Sequence, residues 1–529
     1  MMNAERPQMA GRREWIGLGV LALACLLYAM DLAVLHLAVP SLSAALRPTS
    51  AEMLWIIDIY GFLVAGSLVT MGNLGDRIGR RRLLMLGAAA FGATSILAAF
   101  STSAEMLIAS RAMMGVAGAT LAPSTLSLIF NMFRDPRQRS TAIGVWIAAF
   151  SAGGAIGPML GGVLLEHFWW GSVFLLALPV MAMLLILGPR VLPEFKDSEA
   201  GRLDLTSAAL SLAAVLAVIY GLKDTVQNGF GAVPALALAV GIVVGTMFVH
   251  RQRRLADPLI DLHLFRIPTF SASLATNMLG IFVAVGYFLF VAQYLQLVLG
   301  LTPLEAGLWS LPSAAGFIVG STVAPRFVHR LRPSVVLGWA LVAGAAGLAL
   351  LTRAGVSTGL DVIVVGSVVI SLALSPVFTL TTELIVGSAP PERAGAASGI
   401  SETGAELGGA LGIAILGSIG TAVYRAELAS ALPTGVPDAL AEVARDTLGG
   451  AVEAAGQLSG RAGEALLVVA RSAFVDGLHL VATISAVMAL AAAAVVWTVL
   501  RNVPAGSADE AAPVTEVGFD GATPAPSEA

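Results

Sequence analysis

Two glutamates four residues apart, Glu402 and Glu406, stand in the apolar run GISETGAELGGALGIAILGSIG with no basic residue near them in sequence. At about 1.5 Å of rise per residue, that spacing puts both on one helix face, about 6 Å apart along the axis. Hydrocarbon penalises the charged form of a carboxylate, and two like charges so placed do not both ionise readily. The pair therefore has the chemistry of a site that takes up and releases protons or handles a substrate's charge. A water-filled vestibule near the cytoplasm would hold the same two acids without that role.

Three more ions interrupt apolar runs: Asp31, Asp58 and Arg111. Counted along helices, all three fall in the outer half of the membrane at similar depth, where an arginine and two acids can share charge and lower the cost of burying each. Arg111 is then either a fixed ion pair or a partner whose pairing changes as Asp31 or Asp58 gains a proton. Trp55 and Phe62 lie three before and four after Asp58, and Tyr28 lies three before Asp31, so rings and acids share faces. An anion beside aromatic faces suits a delocalised or quaternary cation, although rings near helix ends also belong to the interfacial belt. Tyr287, Phe290 and Tyr294 repeat the ring pattern without an acid and are read as packing. Glu383, close to the inner end of its run, is expected to snorkel, and His36 reads as structural.

These residues need a membrane around them, and the composition supplies one. The chain is 57% AVILMFWYC and 12% DEKR with a mean hydropathy of +0.85, against roughly 25% charged in soluble domains. The formal charge of -4 says little about partners, and the single cysteine, Cys25, excludes an intrachain disulfide. With no metal-ligand spacing, no GxSxG and no phosphate loop, nothing points to an enzyme, a metal, a cofactor or nucleic acid.

Hydropathy marks fourteen runs of spanning length, at 15–39, 52–71, 83–101, 104–130, 141–163, 170–189, 205–222, 231–249, 269–292, 303–324, 334–352, 361–387, 394–421 and 474–499. The first is too long for a cleavable signal and is read as a retained helix. With both termini cytoplasmic, inner segments hold 22 of the 30 Lys and Arg, which supports an even span count and this orientation in the cytoplasmic (inner) membrane. The expected organisation is a cytoplasmic tail at 1–14, a six-helix bundle at 15–190, two added helices with cytoplasmic links at 191–266, a second six-helix bundle at 267–500 and a disordered tail at 501–529. The second bundle includes a long outer loop at 425–473, whose apolar spacing suggests one or two short amphipathic helices, and the inner link 250–268 should lie along the cytoplasmic face.

Between the second and third runs stands GNLGDRIGRRRLL, where Gly72, Gly75 and Gly79 let helix ends approach closely and Asp76, Arg77, Arg80, Arg81 and Arg82 can contact neighbouring helix termini. This string resembles the signature loop of the major facilitator superfamily. LIASRAMMGVAGA places Arg111 like that superfamily's membrane arginine, and GGAIGPMLGG, with Gly153, Gly157, Pro158, Gly161 and Gly162, is similar to the motif of its drug/proton antiporters. Fourteen runs and the first-helix string MDLAVLHLAVP narrow the resemblance to the fourteen-span drug/proton antiporter branch, the quaternary ammonium exporter type, over about residues 15–500. Ala33, His36 and Met114 depart from the branch pattern, and the tenth run contains no acid where some relatives carry one.

The resemblance implies an all-α polytopic fold with two six-helix bundles and two extra central helices that rock about a central site. It also implies proton coupling through the membrane arginine, acids at positions 402 and 406, and an antiporter interface that limits leak. The expected activity is export of amphipathic cations, driven by a proton gradient without a cofactor, by a monomer whose partners are its small-molecule substrate, protons and the lipid bilayer. Two other readings stay open: export of a neutral or anionic metabolite or self-made antibiotic, and a receptor or scaffold that transports nothing.

Overall fold

Apolar stretches long enough to cross hydrocarbon satisfy their backbone groups internally, and the described apolar stretches of this chain do so with helices. The computed structural model describes residues 9–48, 50–196, 203–229, 231–255, 258–328, 331–356, 359–458 and 461–503, and no strand occurs among them. The first six spans are α1 (Arg12–Leu46), α2 (Ser50–Ile78), α3 (Arg80–Ala99), α4 with α5 (Ala104–Gly118, Leu121–Met132), α6 (Pro136–His167) and α7 with α8 (Ser172–Leu175, Ala177–Val191). Next comes a hairpin of α9 (Leu205–Asn228) and α10 (Ala232–Gln252). The last six spans are α11 (Pro268–Gln293), α12 (Pro303–Val328), α13 (Pro333–Leu351), α14 (Leu360–Gly387), α15 (Ala394–Ser430) and α18 (Arg461–Val499). Short helices α16 (Asp438–Asp446) and α17 (Leu448–Gln457) precede the last. Among the described residues, fourteen helices are long and apolar enough to span. Large apolar side chains stand exposed around them, Ile242, Val243, Trp339 and Val487 among them, as a lipid-facing surface requires.

Helix starts follow local chemistry. Ser103, Asp135 and Asp204 cap α4, α6 and α9 by accepting from backbone N–H groups, and Pro136, Pro268 and Pro333 occupy first helical positions where no donor is lost. Asp204 also receives Arg251 Nε at 2.8 Å and Ser207 Oγ at 2.7 Å, tying the start of α9 to the end of α10. The Arg251 hydrogen bond, with that from Ser207, holds the Asp204 carboxyl down to about 2.

The structure corrects several boundaries. Helix α15 continues to Ser430 and α18 begins at Arg461, so the outer connection is much shorter than 425–473. The two short helices within it lie against protein: Ala441, Ala444, Leu448, Ala451 and Ala454 are buried, and Tyr424 Oη donates to the Ala444 carbonyl at 2.7 Å. Helix α9 runs past 222 to Asn228, which moves Lys223 from an outer loop onto a spanning helix. Link 250–268 is pinned rather than merely surface-lying: Leu259 and Leu264 are buried, and Asn73 Nδ2 donates to the Leu259 carbonyl at 3.2 Å. Most of the C-terminal tail, 504–529, lies outside the described residues, as do the first eight residues.

The two six-helix groups meet along α2 and α5 against α15, and along α6 against α12 and α14, while α9 leans into the seam on α2 and α15.

Candidate functional site

Arg111 on α4 is 1% exposed, and its Nη1 donates to Asp31 Oδ2 on α1 at 2.9 Å. The guanidinium also donates through Nε to the Ile56 carbonyl at 3.4 Å and lies 4.5 Å over the Tyr60 ring, so a planar fork is held on three sides. Gly115 makes room for this: a Cβ there would sit 2.7 Å from the Tyr60 carbonyl oxygen. The expected three-way sharing does not occur. Asp58 on α2 instead pairs with Lys223 of α9, whose Nζ stands 4.9 Å above the Phe62 ring. The cause is the longer α9, which carries a second cation to the depth of Asp58.

Glu402 and Glu406 on α15 are partly accessible rather than sealed in packing. They lie close enough for Glu406 to act electrostatically on Glu402, and Glu406 in turn feels Lys223 across the seam. Cys25 and Tyr28 of α1 are also within electrostatic reach of Glu402, and Tyr28 of Glu406. Acids and rings from α1, α2 and α15, with the ammonium of Lys223 from α9, thus converge on one central region. Of the expected ring contacts, Phe62 is buried and already occupied by Lys223, Trp55 is exposed and edge-on to Phe62 at 6.3 Å, and Tyr28 is buried against Tyr60 and Phe150.

At the face carrying the start of α1 and the end of α18, the signature loop clamps the two halves. Asp76 accepts from Arg80 Nε at 2.8 Å and from the N–H groups of Gly395 and Ala396 at 3.1 and 2.9 Å, which are otherwise orphan donors at the start of α15. Arg80 Nη2 completes the ring by donating to the carbonyls of Pro391 and Glu392 at 2.7 and 3.0 Å. Gly72 touches Gly395 backbone to backbone, since a Cβ on Gly395 would lie 2.6 Å from the Gly72 oxygen. Gly79 has φ +109, open to glycine alone without strain, and Glu194 caps the following helix by accepting from Arg81 N and Arg82 N. Arg77 bonds Asn73 Oδ1 at 2.7 Å within α2. Glu383 does not snorkel: it is 3% exposed, and both of its carboxylate oxygens lie 2.6 Å from Ser140 Oγ of α6, with Arg139 Nε at 3.9 Å. Its run ends against the other half, which takes away the route to water.

On α6, Gly153, Gly157 and Gly161 form one stripe that seats α1 at Leu26, Met30 and Val34, flanking Asp31; Gly162 instead meets nothing within 4 Å. The α6 backbone stays helical through Pro158, whose side chain lies outside the described ones, as does that of His36.

The family model of the Major Facilitator Superfamily matches residues 21–413. The chain belongs to the major facilitator superfamily. This superfamily member is 43% identical to the multidrug efflux pump LfrA of Mycolicibacterium smegmatis, over 93% of this chain and 97% of that one. It is 36% identical to the methyl viologen resistance protein SmvA of Salmonella typhimurium, over 88% and 93%. A third relative is the tetracenomycin C resistance and export protein of Streptomyces glaucescens, 32% identical over 95% and 94%. Among solved structures, the human organic anion transporter MFSD10 aligns over 91% of this chain and 99% of its own at TM-score 0.59 and 16% identity. An inward-facing bacterial homolog of the human lysosomal transporter Spinster aligns over 93% and 98% at 0.53 and 18%. These two show the shared fold.

A superfamily member of this kind is a membrane transporter rather than an enzyme. Two of its polar residues, Lys223 and Glu383, sit deeper in the fold than the hydropathy runs alone imply. Lys223 was hidden by an outer-loop assignment, although it directly follows an apolar run and precedes Asp224. Glu383 does lie near the inner end of its run, but that this end is covered by Ser140 and Arg139 of α6 has no signal in the sequence.

Proposed function

We propose that the protein is a proton-coupled exporter of amphipathic, lipophilic cations such as quaternary ammonium compounds, dyes, antiseptics or antibiotics. In this reading it works as a monomer in the cytoplasmic membrane with both termini in the cytoplasm. The observation that carries the reading is the convergence of four acids from three helices, Asp31, Asp58, Glu402 and Glu406, on a partly accessible region at the seam between the halves. The names of the relatives, a multidrug pump and a methyl viologen resistance protein, support it.

Protons entering from outside neutralise central carboxylates and release the cation outward; deprotonation facing the cytoplasm restores affinity. Competition of cargo and proton for the same oxygens makes the exchange obligatory. Each charge moved along the potential supplies about 2.3 kcal/mol per 100 mV. The Asp31–Arg111 pair gives the cycle a second charged state, because protonating Asp31 leaves the guanidinium with the Tyr60 face and the Ile56 carbonyl.

Reconstituted in proteoliposomes, the carrier should move methyl viologen or tetraphenylphosphonium against its gradient when a proton gradient is imposed. Glu402→Gln and Glu406→Gln should abolish that movement while at least one variant still binds cargo. Undiminished movement after the gradient is collapsed sinks proton coupling. The Lys223 ammonium in the site favours a second reading, export of a neutral or anionic compound, and transport of such a compound with no cation moved would select it.

A further inference from the structure

Lysine is rare in this chain. Of the 30 basic residues only Lys196 and Lys223 are lysines, and the second lies on α9 against an acid and a ring. Arg111, the other cation of the central region, is fixed by its fork. Lys223 is built differently: a compact ammonium on a flexible four-carbon stem, with the charged group able to change partner without moving the helix. Its helix is anchored one turn away and more, where Ile219 packs on Phe62 and Ala65 beside Leu407 and where Leu216 and Leu212 fill the space left by Gly66. The side chain itself is 36% exposed, and Asp58 is 17% exposed.

Charge in the region is unbalanced. Lys223 is the cation for Asp58 and also acts electrostatically on Glu406, which has Glu402 one turn away. A carboxylate below and a ring face alongside is the environment a lipophilic cation requires, and here an amine of the protein fills it.

We infer that Lys223 is a tethered surrogate for the cargo cation: it occupies the Asp58–Phe62 subsite when the carrier is empty, and arriving cargo displaces its ammonium toward Glu406. The inference rests on the cation reading above and adds to it a specificity device. Cargo must outcompete an internal amine, so weakly attracted cations such as Na⁺ or small amines are refused, while a large delocalised cation gains the ring contact and enters. The displaced ammonium meets Glu406, so the acid that cargo does not take keeps a counter-charge.

The test is cation binding and amine reactivity on the purified full-length carrier in detergent, with tetraphenylphosphonium as probe. Lys223→Gln should tighten binding by about fivefold, the scale of a partly accessible ion pair. Lys223→Arg, whose fork grips Asp58 in two places, should weaken it. In the wild type, saturating tetraphenylphosphonium should speed reaction of Lys223 with an amine-specific reagent, read by peptide mass, while exposed Lys196 serves as internal reference and does not change. Thermal melting confirms that the variants are folded. If wild type binds the cation and Lys223→Gln binds it equally or more weakly, or if cargo slows Lys223 labelling, the inference is overturned. If neither wild type nor variants bind any cation, the cation reading itself fails instead.

Discussion

Arg111 and Lys223 both place positive charge beside an acid within the helices, and their chemistry separates their roles. The arginine is sealed at 1% exposure with its fork pinned to Asp31, and the lysine is partly accessible on a flexible stem. Removing one partner of a sealed pair leaves an uncompensated ion, which costs about 3–5 kcal/mol. Arg111→Met should therefore lower the melting temperature in detergent sharply, and adding Asp31→Asn should restore most of it without restoring exchange. Full exchange in the double variant would make the pair structural only. Asp31, Asp58, Arg111, Glu402 and Glu406 were legible as charged interruptions of apolar runs. Which acid met which cation was not, because helix depth ranks residues along the membrane normal and leaves the angular positions of helices undefined.

At the scale of elements, α6 shows how a repeating glycine face positions a charged residue on its neighbour. Gly157→Leu would drive a side chain into the backbone of Met30, where a Cβ already lies 3.2 Å from its Cα, and should cost about 1–3 kcal/mol while displacing Asp31. Gly154→Leu faces open space and should leave melting and transport near wild type. Equal effects of the two substitutions would deny the stripe its role. The α9–α10 hairpin offers a pH readout outside the membrane. Unfolded Asp titrates near about 4 and the native Asp204 carboxyl is held down to about 2, so its ion pair stabilises the hairpin fully above the first value and is lost as pH falls through the second. The melting difference between wild type and Asp204→Asn should accordingly be present at pH 6, shrink below about pH 4 and vanish below about pH 2. The hairpin itself was expected from two apolar runs. Its length was not, since Lys223 and Asp224 read as the end of hydrocarbon when no partner acid is in view.

For the whole molecule, the named contacts between halves gather at the face carrying the start of α1 and the end of α18: Asp76 and Arg80 on the start of α15, and Glu383 on Ser140 and Arg139. The proposed rocking of the two halves would require these to open together. A hydrogen bond to a charged group contributes about 1.5–3 kcal/mol, so Glu383→Gln should shift the conformational equilibrium about tenfold or more toward the form open at this face. Spin labels at exposed positions 134 and 392 would record the longer distance, and an unchanged distribution would remove Glu383 from the closing contacts. The chain's composition and hydropathy were enough to determine fourteen helices, their even count and the acids that interrupt them, because burying backbone in hydrocarbon leaves the helix as the only open solution and makes every interior charge conspicuous. The motif glycines announced close packing for the same local reason. Only the tertiary structure decided that Arg111 takes Asp31, that Lys223 takes Asp58, and that Glu383 faces the opposite half. Each is a contact between segments about 80 or more residues apart, and its geometry depends on how helices are rotated and seated against one another.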